Sequence, residues 1–360
     1  MGHPAGPDAP LADLIGHAAV VALLHREVAD PAQAYLFTGP AGTGKATAAG
    51  RFAAALLARG DPATFGRAIR RSHPDLVFVE PDGRSAITVD QARHAVAQAS
   101  LAPVEARRKV FLFEEGGMMN DEAANALLKT LEEPTASTVF IIVSESEDDL
   151  PPTIASRCRK VVFGRVDDEA IVTGLVASGT EPEQAARVAR IAGGRPGLAL
   201  QLATRPEVAA FRKAWLGVPE RLPEHPGQAF LLAEELEAVA EPLLAALKQR
   251  QQAEVAQLDA DGISTRPARD RHDRELRRAT AALYVSGLEI LAGFYRDAAA
   301  AQLGAPVRNP DVPSHLLTRV LPVRAVANAE RILETVEALQ ANQRPRLAFA
   351  ALFSDLGDAG

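Results

Sequence analysis

The sequence predicts an α/β fold, a parallel sheet with helices on both faces, followed by all-helical regions. Three observations carry this. Short apolar, β-leaning runs alternate with helical stretches over roughly the first 165 of 360 residues, the pattern of a parallel sheet layered with helices. Those runs are continuous rather than alternating, as in strands buried on both faces. From Asp167 onward the strand signals fade.

The first run, Tyr35-Leu36-Phe37-Thr38, enters Gly39-Pro40-Ala41-Gly42-Thr43-Gly44-Lys45-Ala46. This is a phosphate-binding loop of the form glycine, four residues, glycine-lysine, with its last residue changed. Glycines there let backbone N–H groups curl around phosphate, and the lysine adds charge. Strand, glycine loop and helix is the setting that gives the pattern meaning. Helical periodicity follows Lys45 through Phe52, Leu56 and Leu57, with Gly60 as a stop. Further strand runs are Leu76–Val79, Val110–Phe113, Val139–Val143 and Val161–Phe163; helices are expected over Val89–Ala99 and Asn120–Glu133. The latter has Asn120 or Asp121 as cap, a stripe of Ala124, Leu127, Leu128 and Leu131, and Pro134 as its end. Glu132 and Glu133 fall where the helix dipole disfavours negative charge. They read either as a functional mark or as solvated glutamates.

In the second half, Glu169–Ala177, Pro182–Ile191 and a segment entered through Gly193-Gly194-Arg195-Pro196-Gly197 read as three short helices. Gly217–Gly227, with three prolines, reads as a linker. Long helical patterns cover Ala229–Val255, Arg274–Leu303, Pro313–Val320 and Val326–Ala341, with a break over Asp259–Pro267. Arg266, Arg269, Arg271, Arg274, Arg277 and Arg278 form a basic stretch interleaved with Asp270, Asp273 and Glu275. A solvated helix face with local ion pairs accounts for it, and no aromatic residues are interleaved for base stacking.

A net charge of −7 argues against non-specific nucleic-acid binding by the whole chain, without excluding a local basic face. The single cysteine, Cys158, rules out intrachain disulfides and a Cys-rich zinc site and fits a reducing compartment. No apolar run is long enough to span a bilayer and no signal segment is apparent, so a soluble cytoplasmic protein is expected.

The chemistry rests on few side chains. In hydrolysing sites the residue after the lysine supplies a hydroxyl to magnesium, and Ala46 has none. Thr47 is adjacent, but one helical step turns a side chain by about 100°, so it does not replace the missing group. An apolar strand ends in Glu114-Glu115. Such a strand end normally presents an acid to the magnesium shell, followed by a water-activating base; both glutamates also read simply as polar residues at a strand exit. Ser156-Arg157-Cys158 follows the fourth strand and in isolation reads as an ordinary surface arginine.

Three stretches together resemble the delta-prime subunits of bacterial DNA polymerase III clamp loaders, within the AAA+ family. They are Tyr35 through Lys45; Asn120-Asp121-Glu122-Ala123-Ala124-Asn125-Ala126-Leu127-Leu128-Lys129-Thr130-Leu131-Glu132-Glu133-Pro134, shared with tau/gamma motor subunits; and Leu150-Pro151-Pro152-Thr153-Ile154-Ala155-Ser156-Arg157-Cys158. His73-Pro74-Asp75-Leu76, Val89-Asp90-Gln91-Ala92-Arg93 and Asn342 through Ala348 also resemble this family. The resemblance is dense over about 15–165 and thinner beyond. It implies an AAA+ domain over 1–165, a three-helix lid over 166–205 and a helical collar for oligomerisation over 206–360. It implies that Arg157 is an arginine finger reaching a neighbouring tau/gamma ATP site. Gly39, Gly42, Thr43, Gly44, Lys45, Ala46 and Thr47 would form a vestigial phosphate site, Glu114 and Glu115 a Walker B-like pair, and Ser144 and Arg195 sensor-like positions.

The implied partners are tau/gamma and delta subunits, with the sliding clamp and primer-template DNA reached through the complex and no membrane. The implied role is a non-motor part of the DNA polymerase III holoenzyme without independent ATPase activity. The alternative is an active ATPase of the tau/gamma type. ATP and magnesium are the cofactors in question, with hydrolysis by this chain not expected. Zinc is not expected either, because Arg59–Ser72 lacks the four cysteines many delta-prime proteins carry there. Glu114-Glu115-Gly116-Gly117 departs from the family's usual aspartate and bulkier residues.

Overall fold

The computed structural model describes residues 11, 14–81, 86–133, 135–260, 264–341 and 343–358. Pro134, Asn342 and the side chain of Arg271 lie outside the described residues. The chain forms two compact units, Met1–Leu200 and Gln201–Gly360.

The first unit runs α1 (Ala18–Ala29), β1 (Ala34–Thr38), α2 (Lys45–Ala58), α3 (Pro62–Ile69), β2 (Leu76–Phe78), α4 (Val89–Ala99), β3 (Lys109–Phe113), α5 (Asp121–Glu132), β4 (Thr138–Val143), α6 (Pro152–Ala155) and β5 (Arg159–Val162). Then come α7 (Asp168–Ala177), α8 (Pro182–Ala192) and α9 (Pro196–Thr204), the last crossing the boundary between units. The strands form one sheet in the order β2-β3-β4-β1-β5, and every neighbouring pair is parallel. Each expected strand is present within two residues of its predicted ends.

Alternation along the strands explains the continuous apolar runs. Tyr35, Phe37, Leu112, Ile141 and Val161 join Phe52 and Leu56 of α2 on one face. Leu36, Phe111, Phe113, Phe140 and Ile142 join Ala92 and Ala95 of α4 and Leu127 and Leu131 of α5 on the other. Both sets of strand residues must be apolar because both faces are covered. A fully buried aromatic or branched side chain here contributes about 1.5–3 kcal/mol.

Local chemistry sets the helix starts. Thr88 and Gln91 form a reciprocal capping box at α4, and the Asn120 side chain accepts from the Ala123 amide at 2.8 Å to start α5. Asn120, not Asp121, is therefore the cap.

The second unit contains α10 (Pro206–Leu216), α11 (Pro226–Ala260), α12 (Arg266–Gln302), α13 (Ser314–Leu317), α14 (Pro322–Gln340) and α15 (Pro345–Asp358). Its core gathers Phe211, Trp215, Leu288, Phe294, Phe349 and Phe353. Among the described residues no helix is long and apolar enough to cross a membrane.

Here the structure corrects the sequence expectations. The linker Gly217–Gly227 contains a single 3₁₀ turn and ends on the first residues of α11. Helix α12 begins at Arg266, so Pro267 opens the helix instead of breaking it, and the basic stretch is helical from its first residue. Helices α1, α3, α6, α10 and α15 are additional to those expected. Proline accounts for most of these departures, α1 excepted. Pro62, Pro206, Pro226, Pro322 and Pro345 each occupy the first helical position, where the absent N–H has no partner to lose and φ is already suitable.

Candidate functional site

The carboxyl ends of β1, β4 and β3 lie side by side, with Phe37 opposite Val143 and Phe113 opposite Ile142. The glycine loop leaves β1, Ser144 leaves β4 and Glu114-Glu115 leave β3. The topology therefore gathers these sequence-predicted residues along one edge, where open α/β sheets place ligands.

The loop needs its glycines for separate reasons. Gly42 and Gly44 have φ of 78° and 96°, a region that L side chains resist. A Cβ on Gly39 would lie 2.0 Å from the Phe163 carbonyl oxygen. The buried Lys45 donates from Nζ to the Gly39 carbonyl and, at 2.8 Å, to the Pro40 carbonyl. Burial pushes its pKa down, against the opposing pull of Glu145 and Asp149. The fully buried Thr43 donates from Oγ1 to the same Pro40 carbonyl at 2.8 Å. His17 Nε2 lies 2.8 Å from the Thr43 carbonyl, and the Gly197 amide at the start of α9 donates to the Gly42 carbonyl at 3.2 Å. The loop's own carbonyls thus draw on donors from within the first unit.

Arg195 meets this loop. A Cβ on Gly42 would lie 3.3 Å from both Cβ and Cδ of Arg195, and Arg195 Nε donates to the Ala192 carbonyl at 2.9 Å. Ser144 is buried, and its hydroxyl donates to Asp149 Oδ2 at 2.7 Å. That hydrogen bond, with the Ser146 amide, holds the Asp149 carboxyl below the usual range. Gly116 and Gly117 explain their own departure from bulkier residues. A Cβ would lie 2.3 Å from Ile142 Cγ2 at the first, and 2.8 Å from Ser144 Oγ at the second.

Glu114 is engaged. Arg71 Nη2 lies 2.5 Å from Glu114 Oε2, Arg71 Nη1 lies 2.6 Å from Glu80 Oε1, and the guanidinium sits 4.1 Å from the centre of the Phe78 ring. Ala46 and Thr47 are both exposed on the first turn of α2. A magnesium ion held as in a hydrolysing site does not fit this donor set: Ala46 offers no oxygen and the Glu114 carboxylate is ion-paired. Glu115 is half-buried beside Glu114 at the strand exit. Among the described residues no group of three or more His, Cys, Asp or Glu could hold a metal ion.

Arg157 lies apart from this cluster, after α6 and before β5. Its residue is exposed, its Nη1 donates to the Thr153 carbonyl at 2.8 Å, and its Nη2 pairs with Glu132 at the end of α5. The adjacent Cys158 packs with Leu150, Ile154 and Ala155, and burial pushes its thiol up to about 12. Cys158 is an anchor beneath Arg157, not a nucleophile.

Sequence reasoning did not single out Arg71, His17 or Asp149 for this site. Arg71 enters through tertiary pairings that no local spacing announces, whereas Asp149 sits at the third position of a local capping box begun by Ser146. His17 precedes α1, a helix whose start carries no side-chain cap.

With this geometry in hand, relatives are informative. A family model described as "DNA polymerase III, delta subunit" matches residues 16–167. A DNA polymerase III subunit delta' from Bacillus subtilis is 32% identical over 209 residues, covering 56% of this chain and 63% of that protein. The delta' subunit from Pseudomonas aeruginosa is 41% identical over 140 residues, covering 36% of this chain and 42% of that protein. The tau subunit of Bacillus subtilis is 37% identical over 147 residues, covering 39% of this chain and 26% of that protein. The chain therefore spans less than two thirds of the length of these curated relatives. Through residues 16–167 and the sheet edge they build, the chain is similar to the delta' and tau subunits of DNA polymerase III.

Proposed function

We propose that this chain is a delta-prime-like, non-motor subunit of the clamp loader, without ATP hydrolysis of its own. The observation that carries the reading is the closed metal side of its nucleotide-like site: Ala46 lacks a hydroxyl and Glu114 is paired with Arg71. A backbone phosphate cradle over Gly39–Thr47 is compatible with this; magnesium-dependent hydrolysis is not.

In this reading the chain joins tau/gamma and delta subunits in the cytoplasm. Through the complex it helps to load the sliding clamp on primer-template DNA, as part of the polymerase holoenzyme. Its contribution to chemistry is Arg157. An exposed guanidinium is permanently charged and spreads its donors over phosphoryl oxygens as charge develops in the transition state. Arg157 would leave Glu132 and the Thr153 carbonyl to act at a neighbouring tau/gamma ATP site. That exchange is affordable, because a pair this exposed is worth about 0–1 kcal/mol. Ser144 and Arg195, placed against Asp149 and the glycine loop, would relay the state of the local site rather than sense a γ-phosphate.

The alternative, an active ATPase of the tau/gamma type, requires metal chemistry at Glu114. Purified alone, the chain should show no magnesium-dependent ATP turnover above background in a phosphate-release assay, and Lys45→Ala should change nothing. Robust turnover that disappears in Lys45→Ala would refute the non-motor reading.

A further inference from the structure

Besides the missing hydroxyl at Ala46, the misfit with magnesium traces to the side chain paired with Glu114, and that side chain occupies an unfavourable backbone position. Arg71 follows α3 with φ 58°. The Ser72 amide donates to the Arg67 carbonyl and the Arg71 amide to the Ala68 carbonyl, each at 2.9 Å. This is the helix-ending pattern in which glycine usually takes the left-handed position. A side chain there costs roughly 1–2 kcal/mol. Local preference is overridden at Arg71, and such conflicts concentrate where a residue has work elsewhere.

The guanidinium reaches two carboxylates at once, Glu80 at 2.6 Å and Glu114 at 2.5 Å, over the face of Phe78. Strands β2 and β3 pair in parallel with Phe78 opposite Leu112, so Glu80 and Glu114 leave adjacent strand ends at equivalent positions. Two carboxylates so placed repel each other unless a cation lies between them. A planar fork bridging both, with a ring beneath it, is a more specific arrangement than a lone surface pair.

We propose that Arg71 is the resident cation of this site, occupying at Glu80 and Glu114 the place a divalent metal would take and so keeping metal out of the chain's own nucleotide-like site. The proposal rests on the non-motor reading and deepens it, because it names the residue that enforces metal exclusion. Arg71 is a positioning residue here, and a purely structural role for it predicts a different outcome.

The test uses the full chain and Mn²⁺ alone as probe, with uptake read by electron paramagnetic resonance. Arg71→Gly is the informative variant, because glycine suits φ 58° and removes the guanidinium without a folding penalty at that position. Wild type should take up no Mn²⁺ at this site. Arg71→Gly should gain one Mn²⁺ per chain with affinity at least about tenfold above wild type, and adding Glu114→Gln should abolish the gain. Arg71→Lys, which keeps a cation, should behave like wild type. The proposal is overturned if wild type already binds Mn²⁺ in a Glu114-dependent way. It is also overturned if Arg71→Gly, folded by circular dichroism, gains no site, or if Arg71→Lys gains the same site as Arg71→Gly. A missing gain in Arg71→Gly would leave the ATPase-silent reading standing, whereas ATP turnover by wild type would remove that reading directly.

Discussion

At the scale of single residues, the clearest case of a side chain with an unannounced task is Asp75. It is fully buried and accepts three successive backbone amides, Val104 at 2.6 Å and Glu105 and Ala106 at 2.8 Å. Its own amide donates to His73 Nδ1 at 3.1 Å. Burial works against the charge, but the three amides outweigh it and hold the carboxyl below the usual range. A depressed folded-state pKa contributes stability that is present above the unfolded value, about 3.9, and is lost as pH falls through the folded value. Asp75→Asn should therefore destabilise the fold at neutral pH by about 2 kcal/mol, and should flatten the acid limb of stability below about pH 4. Urea unfolding at pH 7 and pH 3 checks both; an equal loss at the two pH values would exclude a charged role. His73-Pro74-Asp75-Leu76 stood out in the sequence only by resemblance. Its physical reason, a carboxylate stitching the 104–106 turn to the start of β2, depends on a contact some thirty positions away.

Elements carry the next level of explanation. Helix α5 ends in Glu132 and Glu133, against its dipole, at a cost of about 0.3–1 kcal/mol. The pairing of Glu132 with Arg157 offsets a cost of that size, since exposed pairs are worth about 0–1 kcal/mol. The helix end is thus close to neutral, which leaves Arg157 easy to release. In the second unit, α12 accommodates Trp215 of α10 only because position 287 has no side chain: a Cβ there would lie 2.1 Å from Trp215 Cε2. The indole is fully buried and cannot retreat. Gly287→Ala should lower stability by about 1–3 kcal/mol through overpacking, even though alanine favours helix by about 1 kcal/mol. Thermal denaturation would check the sign, and a stabilised variant would show that the Trp215 contact is not rigid. Helix α12 is legible from its periodicity, but this crossing is not, because Gly287 finds its reason on another helix.

For the molecule as a whole, the proposed non-motor reading makes Arg157 the group that would act beyond the chain. In a reconstituted clamp loader, Arg157→Ala should cut DNA-stimulated turnover at the served ATP site by on the order of 10³-fold. Assembly, followed by size-exclusion chromatography with light scattering, should stay intact. An unaltered rate in an intact complex would reject the finger assignment.

The sequence by itself determined the layered α/β region and the edge from which its glycine loop leaves. Continuous apolar strands, a glycine loop and a capped helix are local signals with local physical causes, and the strands appear where they were expected. It also determined that Ala46 brings no hydroxyl to the site, since that follows from the residue type alone. Tertiary structure alone decided which prolines open helices and which charges meet. It gave Glu114 to Arg71 and Glu132 to Arg157, and it set Arg195 against Gly42. Ion pairs across 25 and 43 positions leave no periodic trace in a sequence. They exist only once the sheet has brought its strand ends together.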